Sequence, residues 1–284
     1  MISRLVSARR NMCDAGINWI DTAAIYGHGH SEEIVGRAIA GRRKDVFVAT
    51  KCGRVWEDGS REQAAAARER PGRGRREPAA AGIDVIDLYQ MHWPEPDEEV
   101  EEGWAAVNEL IAQGKVRYGG VCNFSTSPLD RVQAIHPVTS LQPPYSMLRR
   151  DIEAELVPWC AKHKVGILAY SPMQAGLLTG AFTAERAAAL PADDWRRNNP
   201  LFQEPQLSAN LRVVERLRPI AARLGVGVAE LALAWVLRLP EMTSAIAGAR
   251  SPEQIRQTAR AGDLTLPAGV IAEIDAILVE REKA

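Results

Sequence analysis

The sequence predicts an α/β protein built as one (β/α)8 barrel of the TIM type, on three observations. First, short β-branched runs alternate with amphipathic helical stretches through 284 residues with no linker between them, which implies a parallel sheet. Second, the strands are almost continuously apolar, as strands are when both faces of a sheet are covered. Third, polar residues stand where strands end: Asp21, Lys51, His92, Asn123, Gln142 and Tyr170. A doubly wound open sheet fits the first two observations equally well. The third favours the barrel, whose strand ends converge on one mouth, and no Gly-x-Gly-x-x-Gly follows a strand.

Taken in order, strands are expected over 18–21, 46–50, 85–90, 118–121, 140–142, 166–170 and 244–247. Ser31, followed by Glu32 and Glu33, is expected to cap a helix running to Ala40. A helix over 100–112 should stop at Gly114, and Pro128 should sit early in the next one. Residues 152–162 read as helical, 174–207 as a long irregular stretch, and 210–224 and 228–239 as helices. Two more helices close the chain, the first entered through Ser251 as cap and Pro252.

Composition excludes several classes. Net charge is -1, so nothing draws the chain toward nucleic acid or an anionic membrane. No apolar run is long enough to span a bilayer, and no signal-peptide core is present, so a cytoplasmic location is expected. The four cysteines, Cys13, Cys52, Cys122 and Cys160, lack any Cys-x-x-Cys pair or zinc spacing and read as reduced thiols. No metal site is expected. The partner is a small molecule.

Asp21, Tyr26, Lys51 and His92 lie on or just after three successive predicted strands. Together they suit carbonyl reduction. A phenol has a pKa of about 10, and a nearby ammonium group lowers it, making it a better proton donor. A carboxylate holds the lysine, and a histidine orients the carbonyl and stabilises oxyanion charge. Alone, each has an ordinary structural explanation; the joint occurrence carries the argument.

Five segments in order then resemble the aldo-keto reductase family. They are Gly-Ile-Asn-Trp-Ile-Asp-Thr-Ala-Ala-Ile-Tyr-Gly (16–27), Val-Ala-Thr-Lys-Cys-Gly (48–53), Asp-Leu-Tyr-Gln-Met-His-Trp-Pro (87–94), Gly-Gly-Val-Cys-Asn-Phe-Ser (119–125), and Leu-Ala-Tyr-Ser-Pro-Met with Gly-Leu-Leu-Thr-Gly (168–173 and 176–180). The resemblance implies a single reductase domain over 1–284 that reduces an aldehyde or ketone with hydride from NADPH, NADH being a possible second donor. It implies that Tyr26 is the general acid, Lys51 its partner, Asp21 the carboxylate paired to Lys51, and His92 the carbonyl-orienting donor. Asn123 and Gln142 would hold the nicotinamide carboxamide, Tyr170 would stack on the ring, and Ser171 and Met173 would lie along the pyrophosphate. Gly248, Arg250 and Gln254 would receive the adenosine phosphate, with Arg250 as the guanidinium clamp. From their places after the Lys51 and His92 strand ends, Trp56 and Trp93 either wall an apolar substrate pocket or serve only as packing aromatics. Two other readings remain open at this stage: a cofactor-binding regulatory or sensor subunit on the same barrel, and a damaged, poorly folding family member.

Two departures from the family motivate the last reading. The chain starts inside what reads as the first helix, over 2–15, so the N-terminal hairpin and first strand are expected to be missing. Residues 68–82 contain Pro71, Gly72, Gly74 and Pro78, which interrupt the expected helix. A one-base shift across 69–82, with a compatible codon choice, restores an amphipathic pattern and points to a local double frameshift.

Overall fold

The computed structural model describes residues 12, 15–53 and 83–282. The expected missing strand, the irregular 68–82 stretch, Trp56 and most of the helix expected over 2–15 therefore lie outside the described residues. Among the described residues, seven strands form one sheet in chain order: β1 (Trp19–Asp21), β2 (Phe47–Cys52), β3 (Ile86–Met91), β4 (Val116–Cys122), β5 (Ser140–Gln142), β6 (Gly166–Tyr170) and β7 (Met242–Ile246). Pairing from β1 through β6 is parallel throughout.

The chain divides into two compact units. The first comprises residues 1–143, 153–168 and 248–256 and holds β1 to β5. Its helices His30–Ile39, Val100–Ala112, Thr126–Ile135 and Leu156–His163 follow the strands. Ile20, Val35, Ile39, Val46, Val48, Ile86 and Val116 form a continuous apolar cluster there. Asp87, at the start of β3, is 1% exposed and paired with Arg43 at 2.6 Å and Arg117 at 2.9 Å. Its carboxylate also accepts the Val48 amide at 2.8 Å. That bond replaces a backbone partner just below the point where β2 and β3 begin to pair, at Ala49 and Leu88.

The second unit comprises residues 144–152, 169–247 and 257–284. Its long helices are Gln206–Arg223, Val228–Val236 and Ala268–Glu282. Every residue of Val228–Val236 is buried, which explains why its sequence is apolar at every position but Glu230. Glu230 is buried too. It accepts the Gly227 amide at 2.8 Å and pairs with Arg260 at 2.7 Å, so the charge is compensated. Arg238 lies 3.6 Å from the Trp235 ring centre and donates to the Tyr145 hydroxyl at 2.7 Å. The stretch expected to be irregular contains short helical turns, including Gln174–Thr179, Ala184–Ala188 and Trp195–Asn198.

Most expected elements are present within two or three residues of their predicted ends; Val100–Ala112, Ser140–Gln142 and Gly166–Tyr170 match residue for residue. Two expectations are corrected. Ser31 is not a cap: the helix begins at His30 behind Gly29, which adopts φ 90°. Positive φ at Gly27 and Gly29 turns the chain within three residues, and the Ser31 hydroxyl, already inside the helix, bonds Thr22 at 2.8 Å. The helix expected over 152–162 is two pieces, a turn Asp151–Glu153 and a helix Leu156–His163. Its apolar residues mark burial in both pieces, and that pattern does not reveal the break between them. Among the described residues, no single helix is long and apolar enough to cross a membrane.

Candidate active site

Strand register places the polar residues. Asp21 pairs with Ala49, and Lys51 lies two residues further along β2, so both project from the same face. Lys51 pairs with Gln90, Gln90 with Gly120, and Gly120 with Ser140; Gln142, two residues beyond Ser140, joins that face. Thr50, one residue off register, points the other way and donates to Glu32 of the His30–Ile39 helix at 2.7 Å. Asp21, Gln142 and Tyr170 are the last residues of β1, β5 and β6, Lys51 is one short of the end of β2, and His92 and Asn123 directly follow β3 and β4.

Lys51 and Asp21 form a buried ion pair, Nζ to Oδ2 2.5 Å, with side chains 1% and 8% exposed. Lys51 also donates to the Thr22 carbonyl at 3.0 Å. The second oxygen of Asp21 accepts from Gln142 Nε2 at 2.9 Å. Lys51 Nζ lies 5.0 Å from the Tyr26 ring centre. The Tyr26 and His92 rings meet edge to face, 5.9 Å apart. Asn123, held at φ 62°, donates from its side chain to the His92 carbonyl at 3.0 Å, tying the ends of β3 and β4 together. The structure thus brings together all four expected catalytic residues, with Gln142 and Asn123 beside them.

The electrostatics correct one expectation. The Tyr26 hydroxyl is raised above its ordinary value: burial raises it most, and Lys51 pulls it down by charge and hydrogen bond without cancelling that effect. The residue as a whole is 42% exposed, which fits a ring open on one side with its hydroxyl end among buried groups. For Lys51, burial acts to lower the value, but Asp21, Tyr26 and Cys122 together hold it above the ordinary lysine range. The lysine is therefore a fixed cation. Cys122, fully buried beside this pair, is pushed far up, chiefly by burial, and remains a thiol.

The other expected cofactor residues lie on two segments. In the first unit, Ser251 caps the Pro252–Ala259 helix by accepting the Gln254 amide at 3.3 Å, as expected. Gly248 and Arg250 are exposed. The Arg250 amide is taken by Gln254 Oε1 at 2.7 Å, so a phosphate at that amide would displace the glutamine. In the second unit, the Tyr170 carbonyl accepts the Tyr145 amide at 3.1 Å. Ser171 takes φ 55°, and the Met173 carbonyl accepts the amides of Gly176 and Leu178.

A model of the Aldo/keto reductase family matches residues 5–279. The chain belongs to the aldo/keto reductase family. It is an oxidoreductase of carbonyl compounds on the family's (β/α)8 fold, seven of whose strands are among the described residues. The chain is 36% identical over 272 residues to the aldo-keto reductase YhdN of Bacillus subtilis (strain 168), covering 95% of this chain and 82% of that one. It is 36% identical to the NADH-specific methylglyoxal reductase of Escherichia coli (strain K12), over 88% of this chain and 80% of that one. Among solved structures, the glycerol dehydrogenase AKR11B4 of Gluconobacter oxydans is similar at TM-score 0.88 and 35% identity, over 97% of this chain and 85% of that one. A Klebsiella pneumoniae aldo/keto reductase in complex with NADP and acetate is similar at TM-score 0.74 and 30% identity, over 98% and 86%.

Sequence reasoning did not single out two buried neighbours of the site. Cys122 faces the ion pair, and its one signal was its place beside Asn123. Gln90 lies between Lys51 and Gly120 in the sheet, two residues before His92, a spacing that puts it on the inward face of β3.

Proposed function

We propose that this reductase converts an aldehyde or ketone to an alcohol with NADPH as hydride donor and Tyr26 as the general acid. The observation that carries the reading is the buried Asp21–Lys51 pair with its ammonium group 5.0 Å from the Tyr26 ring centre. NADPH, when bound, supplies the hydride. Tyr26 delivers the proton to the carbonyl oxygen. Lys51, held by Asp21 and the Thr22 carbonyl, stabilises the phenolate left behind. His92, edge-on to Tyr26, orients the oxygen and donates to it as negative charge develops.

The residues present fit the cofactor. Gln142 points its amide nitrogen at Asp21, which leaves its oxygen to accept from a carboxamide, and Asn123 is fixed beside it through His92. Arg250 is exposed next to a capped helix start, where a guanidinium group suits a 2′-phosphate. Tyr170, Ser171 and Met173 take the ring-stacking and pyrophosphate roles by family likeness. The Klebsiella relative's NADP supports this choice, and the NADH-specific Escherichia relative supports NADH as a second donor. Residues 1–284 then make up one reductase domain, which the family match over 5–279 supports. The buried Cys122 thiol, held protonated by its surroundings, supports a cytoplasmic setting.

The test is Tyr26→Phe. Turnover on a general aldehyde should fall by about two to four orders of magnitude, the usual worth of a positioned proton donor, with NADPH affinity nearly unchanged. Full turnover in this variant rejects the role of Tyr26. NADPH binding without turnover in the wild-type chain favours a sensor subunit instead.

A further inference from the structure

Gln90 is fully buried in the middle of the sheet, where the reaction as read above gives it nothing to do. Its Nε2 has no hydrogen-bond partner, although an unpaired buried amide group costs about 1–3 kcal/mol. An apolar side chain at this position avoids that cost, so the other half of the amide deserves an account. Gln90 Oε1 accepts from Gln142 Nε2 at 3.3 Å. The same nitrogen donates to Asp21 Oδ1 at 2.9 Å. Gly120, which pairs with Gln90 in the neighbouring strand, leaves the space for this: a Cβ there would lie 3.2 Å from Gln90 Cγ.

These contacts fix the polarity of Gln142. Turning its amide over sets the one Gln142 oxygen against both the Asp21 carboxylate and Gln90 Oε1, two acceptor–acceptor contacts in place of two hydrogen bonds. Turning Gln90 instead sets nitrogen against nitrogen. The arrangement has one consistent solution, with Gln142 Nε2 toward Asp21 and Gln142 Oε1 turned away from it.

We propose that Gln90 is a positioning residue of this reductase: it locks the Gln142 amide so that its oxygen is presented to the carboxamide of the nicotinamide while its nitrogen steadies Asp21. This rests on the reading that Gln142 holds that carboxamide. Gln90 itself touches neither substrate nor cofactor; it acts through Gln142. The chain of contacts runs from Gln90 to Gln142, Asp21, Lys51 and Tyr26.

The test is a double-mutant cycle on the full chain, read as the NADPH dissociation constant from quenching of protein fluorescence, without substrate. Gln90→Met removes the acceptor at similar size and should weaken NADPH binding about tenfold, the scale of one hydrogen bond. Gln142→Leu should weaken it at least as much, and Gln90→Met should then add nothing in the Gln142→Leu background. Gln90→Glu keeps an acceptor at the same reach and should bind within about threefold of wild type, on the same scale. Unchanged affinity in Gln90→Met, additive losses in the double variant, or a tenfold loss in Gln90→Glu each overturn the proposal. If circular dichroism shows that Gln90→Met does not fold, Gln90→Glu decides alone, retained affinity supporting the role and lost affinity rejecting it. Unchanged affinity in Gln142→Leu removes the cofactor reading and Gln90's role with it. A loss in Gln142→Leu without one in Gln90→Met removes Gln90's role only.

Discussion

Lys51 has two influences on Tyr26, and burial opposes both. Its charge and its hydrogen bond favour the phenolate, while removal of the hydroxyl end from water disfavours it more strongly. The net direction is upward, so Tyr26 keeps its proton throughout the neutral range. Carbonyl reduction should therefore be flat with pH until the pH rises above about 10, the ordinary phenol value. Alcohol oxidation, which needs the phenolate, should rise in that same alkaline window. A descending limb for reduction near pH 7 contradicts this assignment. Lys51→Met removes both influences that lower Tyr26, so its pKa should climb further and turnover should fall by about two orders of magnitude or more, within the range for a lost acid–base partner. Stability follows the same sign. The folded state holds protons on both Tyr26 and Lys51 more tightly than the free side chains do. Their contribution to stability is therefore whole below about pH 10 and declines as the pH rises past it, which alkaline urea unfolding would register. At this scale the four residue types proposed for catalysis were legible in the sequence, because Asp21, Lys51 and His92 stand at strand ends and Tyr26 lies in the loop that follows β1. The sign of the Tyr26 shift was not legible, because it depends on burial and burial depends on the fold.

Strands transmit position through register, and the tightest point in the register is Gly120. A Cβ there would lie 2.3 Å from Ser140 Oγ and 3.1 Å from the Ser140 carbonyl oxygen. The hydroxyl can rotate away, but the backbone oxygen belongs to the β4–β5 ladder and cannot. Gly120→Ala should therefore destabilise the protein by about 1–3 kcal/mol, the range for forced overpacking, as measured by urea denaturation. Gly114 is the control. It adopts φ 72° just beyond the Val100–Ala112 helix, with nothing within 4 Å of an added Cβ, so Gly114→Ala carries conformational strain alone. Equal sensitivity at the two positions would mean that the space above Gly120 is not what matters. Both glycines are plain in the sequence, yet only Gly114 has a readable role, as a helix stop. The role of Gly120 depends on Gln90 and Ser140, which neighbour it only after three strands pair. The same limit hid Gln90: its partner Gln142 is 52 positions away, and no local pattern connects them. It also explains the misplaced cap at Ser31, where serine followed by two acids is a sound local signal that the turn through Gly27 and Gly29 overrides.

The whole molecule offers a test that needs no substrate. A ligand that binds only the folded chain stabilises it by mass action, and at a hundred times its dissociation constant the gain is about 2.7 kcal/mol. For a protein of this size that corresponds to a rise in Tm of about 5–10 °C. NADPH at that saturation should produce such a shift, and NADH at the same concentration a smaller one. The difference between them is a single 2′-phosphate, and the residue assigned to it is Arg250, exposed at the entrance to the Pro252–Ala259 helix. Its amide is already satisfied by Gln254, so backbone donation is weak there and the guanidinium group must supply most of the discrimination. Arg250→Ala should therefore bring the NADPH shift down to the NADH shift and leave the NADH shift as it was. Gln254→Ala frees the Arg250 amide and should leave NADPH preferred. A chain that responds equally to both cofactors before either substitution does not read the phosphate through Arg250. Arg250→Ala weakening both alike would give this arginine a general part in stability or binding and leave the NADPH preference to other residues.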